Sequence, residues 1–276
     1  MHDISLVVVL YGKELQDSKT LMSLSKFEFK FNTLLVYNNG PSLLSTDNTI
    51  VCMLKNRFEQ VTVIEDITNA PLSKIYNFFL KNVKSNSYVI LDDDTELNEN
   101  YIFMLIQNAS KQEYDLVIPK IISFDARQYY PISNGVVIEK EGYIEGETNL
   151  LSISSGIVLN KSIFRKMLLN DNNMFDERYA LYGVDTSFFK KITKNPDVKI
   201  CISSYLSHSL SRAESKDNYF RRKERLIDLA ISTRCYPSLF NYYYFLKKLI
   251  SLLFSCEFKL AILMIHVFLK GRHPKC

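Results

Sequence analysis

Paired cysteines, a basic leader and long apolar runs are all missing from this 276-residue sequence, and each absence excludes a class of protein. The five cysteines are scattered without a C-x-x-C pair, so we expect reduced thiols in a cytosolic protein rather than a disulfide framework. The opening MHDISLVVVLYG has an acid before its apolar run, which predicts a first buried strand and not a secretory signal. An apolar fraction of 47% argues against disorder over most of the length.

The carboxyl end also lacks an apolar run of the ~20 residues that span a bilayer, because Lys247, Lys248 and Lys259 interrupt it. Residues 241–276 hold six basic side chains and one acidic one, whereas the rest of the chain holds 28 basic and 29 acidic ones. We predict amphipathic helices that bind an anionic membrane surface through residues 240–275. A helical pair packed on the domain, or a homodimer contact, is the alternative. The balanced remainder argues against nucleic acid as a partner.

Short apolar runs alternate with longer mixed segments in the first half of the chain. Most of these runs are continuously apolar, as strands buried on both faces are. Segments 72–84 and 98–110 carry apolar residues at helical spacing. This alternation predicts an α/β fold with a mainly parallel sheet flanked by helices. The predicted strands are ISLVVVLY (4–11), TLLVYN (33–38), VTVIED (61–66), YVIL (88–91) and DLVIPK (115–120).

The second half of the chain is less regular. Residues 134–147 predict a hairpin or loop excursion, and LLSISSGIVLN (150–160) predicts a strand that a helix from about Lys161 follows. Residues 174–192 predict a loop that turns into a helix, and the chain beyond Asp217 reads as mostly helical. We expect a catalytic domain over residues 1–212 and a C-terminal helical region over residues 213–276.

Asp92, Asp93 and Asp94 stand together directly after the fourth apolar run. In an extended segment Asp92 and Asp94 face one side and Asp93 the other. Two such carboxylates repel each other by roughly 1–4 kcal/mol, and a divalent cation such as Mg²⁺ or Mn²⁺ is a suitable compensating partner. Ligands of open α/β sheets bind at the carboxyl ends of strands, where Tyr11 and Asn38 also stand. A solvated acidic turn before a helix is the alternative.

Two other enzyme classes do not fit these residues. Aspartyl phosphatases of the haloacid dehalogenase type have D-x-D-x-T, but the fifth position from Asp92 is Glu96. A nucleotidyltransferase needs a glycine-rich basic loop to bind a triphosphate, and the sequence has none near residue 12.

The stretch YVILDDDTEL resembles the L-D-x-D-T segment of family 2 glycosyltransferases with the GT-A fold, especially the rhamnosyltransferase-like branch that builds bacterial surface polysaccharides. Further stretches resemble the family's other motifs in the same order, over roughly residues 4–235. The sequence departs from the family at Asn38, which replaces an aspartate, at Pro71, which replaces a glycine, and at Val184 and Ser187, which replace acids around Asp185. The resembling stretches are LVVVLYG, LLVYNNGPS, NAPLSKIYN, SSGIVLNKSIF and FDERYALYGVDTSFF.

The resemblance implies an inverting glycosyltransferase that moves a sugar from a UDP- or dTDP-sugar to a lipid-linked oligosaccharide of O-antigen or capsule type, at the inner face of the cell membrane. It implies Asp94 as the principal ligand of Mn²⁺ or Mg²⁺, with Asp92 and His208 as further ligands. Asp92 would otherwise contact the ribose, and Asp93 would point away or orient the donor. Asp185 would be the general base, although a helix N-cap is its plain structural alternative.

The same resemblance implies nucleoside contacts from Tyr11, Asn38, Asn69 and Asn77. It places Glu177 and Tyr182 on the acceptor side. For the four predicted nucleoside contacts, the structural alternatives are roles in packing, in turns and as helix caps. Because the motif around Asp185 has lost its flanking acids, a non-catalytic nucleotide-sugar or carbohydrate binding protein is the second hypothesis.

Overall fold

The protein is a mixed α/β structure built around one large, mostly parallel sheet, which confirms the predicted class. The structure, a computed structural model, describes residues 2–45, 49–145, 149–167, 173–209 and 218–276. Its strands are His2–Leu10 (β1), Phe31–Asn38 (β2), Phe58–Glu65 (β3), Ser87–Asp92 (β4), Thr95–Glu96 (β5), Leu116–Ile122 (β6), Gln128–Tyr130 (β7), Ile132–Ser133 (β8), Val136–Val137 (β9), Gly142–Ile144 (β10), Leu150–Leu151 (β11), Val158–Asn160 (β12) and Ile200–His208 (β13).

In the first half of the chain the helices alternate with strands, as the sequence predicts, and the carboxyl end is helical. Both predicted helices of the first half are confirmed, with ends within two residues of the prediction. They are Lys19–Lys26 (α1), Thr49–Lys55 (α2), Leu72–Asn82 (α3), Glu99–Lys111 (α4), Ser162–Met167 (α5), Val184–Ile192 (α6), Tyr219–Cys235 (α7), Leu239–Phe254 (α8) and Phe258–Lys270 (α9).

The large sheet has the strand order β10-β13-β6-β12-β4-β1-β2-β3, and β5 and β7 pair with β13 and β6 outside this path. β1 runs parallel to both β2 and β4, so the carboxyl ends of these strands lie side by side. β12 is antiparallel to both β4 and β6 and joins the two parallel halves. The strands β11, β8 and β9 form a separate small sheet. The site described below lies where β4 ends beside β1.

Both faces of the sheet are buried, which explains the continuously apolar strands. In β1, Leu6 and Val8 contact one apolar cluster and Val7 and Val9 contact the other. The first cluster includes α1, α2 and α4. The second includes α3, α5 and α6 and extends without interruption into α7, α8 and α9.

The predicted strand 150–160 is wrong as one element, because the structure divides it into β11 and β12, which belong to different sheets. The turn between them contains Gly156 at φ +87°, where an added Cβ would lie 2.2 Å from a methyl carbon of Leu206. Only glycine fits a backbone that passes so close to its neighbour in this conformation. The division frees the serines before Gly156 from strand pairing.

The helices α7 to α9 form the predicted C-terminal helical region. The predicted boundary at residue 212 lies outside the described residues, so the division into two domains stays a prediction. None of the described helices is long and apolar enough to cross a membrane. All five cysteines are described, and each is a free thiol.

Candidate active site

Asp92, Asp94 and His208 converge at the carboxyl edge of the large sheet. One ligand atom from each residue lies within 4.8 Å of the other two. Nε2 of His208 is 3.2 Å from Oδ2 of Asp92, and Nδ1 is 3.5 Å from Oδ1 of Asp94. β4 ends on Asp92, a turn follows, and β13 ends on His208, so pairing of β5 with β13 brings the three together.

The His208 ring has a defined orientation, because its Nδ1 lies 2.9 Å from the backbone carbonyl oxygen of Ser209. A carbonyl can only accept, so Nδ1 carries a hydrogen and Nε2 is the nitrogen that faces Asp92. Burial opposes the charged ring, but the hydrogen bond and charge of Asp92 and the charge of Asp94 outweigh it and raise the pKa of His208. Metal-binding histidines commonly donate their other N–H to a carbonyl in this manner.

The carboxylate of Asp94 lies partly buried beside other charged side chains. Burial raises its pKa to about 6; the charge of His208 opposes this shift, and the charges of Asp92 and Asp93 add to it. Two carboxylates and an imidazole are a donor set that suits Mn²⁺, and the carboxylates also suit Mg²⁺. The residues present therefore fit a divalent cation.

Asp93 points to a different set of partners. Its Oδ1 lies 2.5 Å from the ammonium of Lys13, and its Oδ2 accepts the backbone N–H of Tyr11 at 3.2 Å. Burial raises the pKa of Asp93, although Lys13 opposes the shift. Its backbone carbonyl accepts the hydroxyl of Ser18, the N-cap of α1, at 2.9 Å. The start of α1 thus fixes the turn that carries all three aspartates.

Asp185 lies in the first turn of α6 and is half-buried. Gly183 precedes this helix at φ +86°, and a Cβ there would meet the ring of Tyr179 and a carboxylate oxygen of Asp228. Oδ1 of Asp185 accepts the backbone N–H of Ser154 at 3.1 Å and also the hydroxyl of Ser154. Burial raises the pKa of Asp185 to about 6, Ser154 lowers it, and the charge of Asp92 raises it further.

Two consecutive serines connect the two acidic parts of the site. Ser154 holds the Asp185 carboxylate, and the hydroxyl of Ser155 accepts the backbone N–H of Asp92 at 3.0 Å. Both serines are almost fully buried. Neither serine was predicted to have a role, although the small-residue stretch SSG was a signal in the sequence.

A cavity of about 320 Å³ opens beside the aspartates. Tyr11 and Asn69 line it, and the side-chain amide of Asn69 donates to the Tyr11 hydroxyl at 3.3 Å. Its remaining lining comes mainly from loops and the C-terminal part of the chain: Val9, Asn39, Ala70, Leu72, Asp92, Asp93, Asp94, Ala180, Leu181, His208, Phe220, Glu224, His273 and Lys275.

Two predicted nucleoside contacts are not in the lining of this cavity. Asn38 is 1% exposed, and its amide donates to the Ser42 carbonyl and to Glu65 while its oxygen accepts from Gly40. Asn77 is 2% exposed and bonds to the backbone of Phe175. Both amides are fully engaged in turn and loop structure, and the neighbour of Asn38, Asn39, reaches the cavity instead.

The two residues predicted on the acceptor side lie on the segment before α6. Glu177 accepts the side-chain amide of Asn77 at 3.0 Å. The guanidinium of Arg225 lies 5.9 Å from the ring centre of Tyr182. Neither is in the lining of the cavity, but Ala180 and Leu181 from the same segment are.

The family model of glycosyl transferase family 2 matches residues 5–169, which is more than half of the chain. None of the curated proteins matches the chain in sequence. A structure of S. aureus TarS superposes with a TM-score of 0.55 at 16% identity, covering 84% of this chain and 43% of that one. This chain therefore spans less than half the length of that protein.

Two shorter forms of that protein are also similar. The structure of S. aureus TarS 1-349 gives a TM-score of 0.56 at 14% identity, covering 99% of this chain and 93% of that one. The complex of TarS 1-349 with UDP-GlcNAc gives 0.55 at 17% identity, covering 82% and 66%. At these identities the likeness establishes the fold.

Proposed function

The chain belongs to glycosyl transferase family 2, and from that premise we propose that it transfers a sugar, with inversion, from a nucleotide-diphosphate donor to a lipid-linked oligosaccharide. The observation that carries this proposal is the convergence of Asp92, Asp94 and His208 beside a cavity of about 320 Å³. The acceptor belongs to surface-polysaccharide synthesis of O-antigen or capsule type in this proposal, and rhamnosyl transfer is one of the specificities to test.

Asp92, Asp94 and Nε2 of His208 hold the divalent cation in this proposal. A cation held by these residues would supply Lewis-acid chemistry that offsets the charge on the departing diphosphate. The serine hydroxyl of Ser155 and the carbonyl of Ser209 keep the Asp92 backbone and the His208 ring in place. Such outer contacts preorganise a metal site before its ligand arrives.

Asp185 takes the proton of the acceptor hydroxyl. A general base works best when its pKa lies near the working pH, and burial raises the pKa of Asp185 to about 6. The carboxylate is therefore charged at neutral pH yet more basic than an exposed aspartate. Ser154 leaves it a fixed orientation, because both the N–H and the hydroxyl of that serine bond to the same oxygen, Oδ1.

Tyr11 and Asn69 contact the nucleoside of the donor, because both line the cavity at the ends of β1 and β3. Both uracil and thymine are candidates for the base of the donor nucleotide. The similar structures of TarS in complex with UDP and with UDP-GlcNAc support trying uridine donors first. Glu177 and Tyr182 are kept as acceptor-side residues, since Ala180 and Leu181 of their segment reach the cavity.

The helices α8 and α9 bind the surface of the cell membrane from the cytoplasmic side. Phe254 is 87% exposed and Ile262 is 67% exposed, and several other large apolar side chains of α8 and α9 are exposed with them. Exposed apolar patches mark protein or membrane interaction sites. Exposed Lys247, Lys248 and Lys259 lie on the same two helices. Apolar side chains with nearby lysines suit an interface with anionic headgroups, where a lipid-linked acceptor would be found.

The test is the thermal stability of the protein with a panel of UDP- and dTDP-sugars, with and without Mn²⁺. A ligand that binds only the folded state raises the melting temperature by mass action, so the true donor should raise it most, and only with metal. Asp94→Asn should abolish the metal dependence, whereas the exposed control Asp197→Asn should keep it.

Turnover separates the enzyme from a binding protein. Donor hydrolysis or transfer should occur in the wild type and be lost in Asp185→Asn with donor binding retained. Tight donor binding without turnover on any acceptor would favour the non-catalytic alternative. No stabilisation by any nucleotide sugar would refute both the enzyme and a nucleotide-sugar binding protein.

A further inference from the structure

The residues after α9 form a short segment, Gly271–Cys276, that turns back to the cavity; we name it the C-terminal strap. Gly271 ends α9 at φ 68°, which reverses the chain. The backbone N–H of His273 then donates to the Arg178 carbonyl at 2.8 Å. The ammonium of Lys275 donates to the Asn69 carbonyl at 3.3 Å. The strap therefore connects two loops that border the cavity.

A buried pair anchors the strap. His273 is 5% exposed and Glu224, on α7, is 6% exposed. Nδ1 of His273 accepts the backbone N–H of Lys275 at 3.1 Å, so its Nε2 carries the hydrogen and donates to Oε2 of Glu224, also at 3.1 Å. The anchor holds the backbone of Lys275 directly, which fixes where its side chain starts.

The charges around the cavity are unbalanced. Asp92, Asp93, Asp94 and Glu224 line it, and Lys275 is the single lysine or arginine among the described lining residues. Its ammonium bonds to a neutral carbonyl, and no carboxylate of the described residues lies within ion-pair distance of it. Lys13 differs, because Asp93 already occupies its ammonium. Lys275 thus has donors left for an anionic ligand.

We propose that the ammonium of Lys275 contacts the diphosphate of the nucleotide donor, so that the C-terminal strap completes the donor site. This inference rests on the proposed function. The carbonyl that holds Lys275 belongs to Asn69, whose amide bonds to Tyr11, and both residues are the proposed nucleoside contacts. The diphosphate joins the nucleoside to the sugar, so it must pass between those residues and the aspartates.

This position distinguishes Lys275 from the other basic residues of the carboxyl end. The lysines of α8 and α9 lie on helices with exposed apolar side chains and suit a lipid surface. Lys275 instead bonds to the backbone of Asn69, one of the two proposed nucleoside contacts. A lysine is a compact charge with several donors, and charge-assisted hydrogen bonds to phosphate oxygens are among the strong ones.

The test measures binding of UDP, dTDP, uridine and thymidine to the full chain by calorimetry, with and without Mn²⁺. Lys275→Gln should raise the Kd for the diphosphate nucleotide roughly ten- to hundredfold and leave the Kd for its nucleoside unchanged. The loss should persist without Mn²⁺, because Lys275 is not a metal ligand. Lys275→Arg should recover part of the affinity, and the exposed control Lys111→Gln should bind as the wild type does.

The outcomes separate the inference from the proposed function. If the wild type binds neither diphosphate nucleotide, the proposed function fails and the inference fails with it. If the wild type binds but Lys275→Gln binds equally well, only the inference is overturned. An equal loss for nucleoside and diphosphate, at an unchanged melting temperature, would also overturn it, because the strap would then shape the cavity and not supply the charge.

Discussion

Replacing Asp185 by asparagine should make the protein more stable and less active at the same time. The structure places this carboxylate where burial raises its pKa to about 6, from an ordinary value of 3.8. Asparagine keeps an oxygen that can accept from Ser154 but carries no charge. A residue kept only as a helix cap would behave differently, because its removal would lower stability.

The direction of the stability change follows from the difference in proton binding between the folded and unfolded states. Between pH 3.8 and about 6 the folded protein holds a proton on Asp185 that the unfolded chain has lost, so the wild type loses stability as pH rises through this window. A shift of this size corresponds to roughly 3 kcal/mol at pH 8 as an upper value, and to nothing below pH ~3.8. We expect Asp185→Asn to unfold with a free energy higher by up to that amount at pH 8.

The activity should change in the opposite direction. Loss of a general base lowers the transfer rate by roughly 10²- to 10⁴-fold, with donor affinity nearly unchanged. The assay combines urea unfolding at pH 4 and pH 8 in metal-free buffer with the rate of transfer or donor hydrolysis at pH 8. Asp197→Asn, a neutralised exposed acid, should change neither quantity.

Three results would refute the reasoning about Asp185. Lower stability of Asp185→Asn at pH 8 would show that the carboxylate is a favourable structural group. A stability difference independent of pH would show that burial does not perturb its titration. Retained transfer would show that another group takes the proton.

Other perturbations test the remaining parts of the site and surface. Ser154→Ala removes a hydroxyl that lowers the pKa of Asp185, so the acid limb of the pH–rate profile should move above pH 6; an unmoved limb would assign it to another group. Asp94→Asn should weaken Mn²⁺ binding at least tenfold by calorimetry, and unchanged binding would remove the ion from this site. Phe254→Ser should lower binding to vesicles of anionic lipid about tenfold, whereas the control Phe103→Ser, at an exposed phenylalanine of α4, should not. Equal binding by both variants would point to a helical packing or homodimer role for the face that carries Phe254.

The sequence predicted the sheet and the cluster of acids at its edge for related reasons. Strands buried on both faces must be apolar at nearly every position, so β1, β2 and β4 are visible as continuous runs. A parallel strand ends where ligands bind, so the acids after β4 marked the site. The strand over 150–160 was wrong because the local residue pattern does not reveal the turn at Gly156, where the backbone passes close to Leu206, a residue distant in sequence.

Position at a strand end did not by itself decide which candidate residues reach the cavity, because Asn38 ends β2 and is absent from the lining. Asn38 and Asn77 have the right residue type, but neighbouring backbone groups occupy their amides. Ser154 and Ser155 look like ordinary small residues until folding brings them against Asp185 and Asp92.

The sequence by itself determined an α/β sheet with acids at its carboxyl edge, because strand burial and strand ends leave a local pattern of residue types. Tertiary structure alone decided that Asp185 is desolvated and that the C-terminal strap places Lys275 at the cavity. The burial of Asp185 and the position of Lys275 at the cavity both depend on which distant segments pack together. The local spacing of residues in the sequence contains no information about that packing.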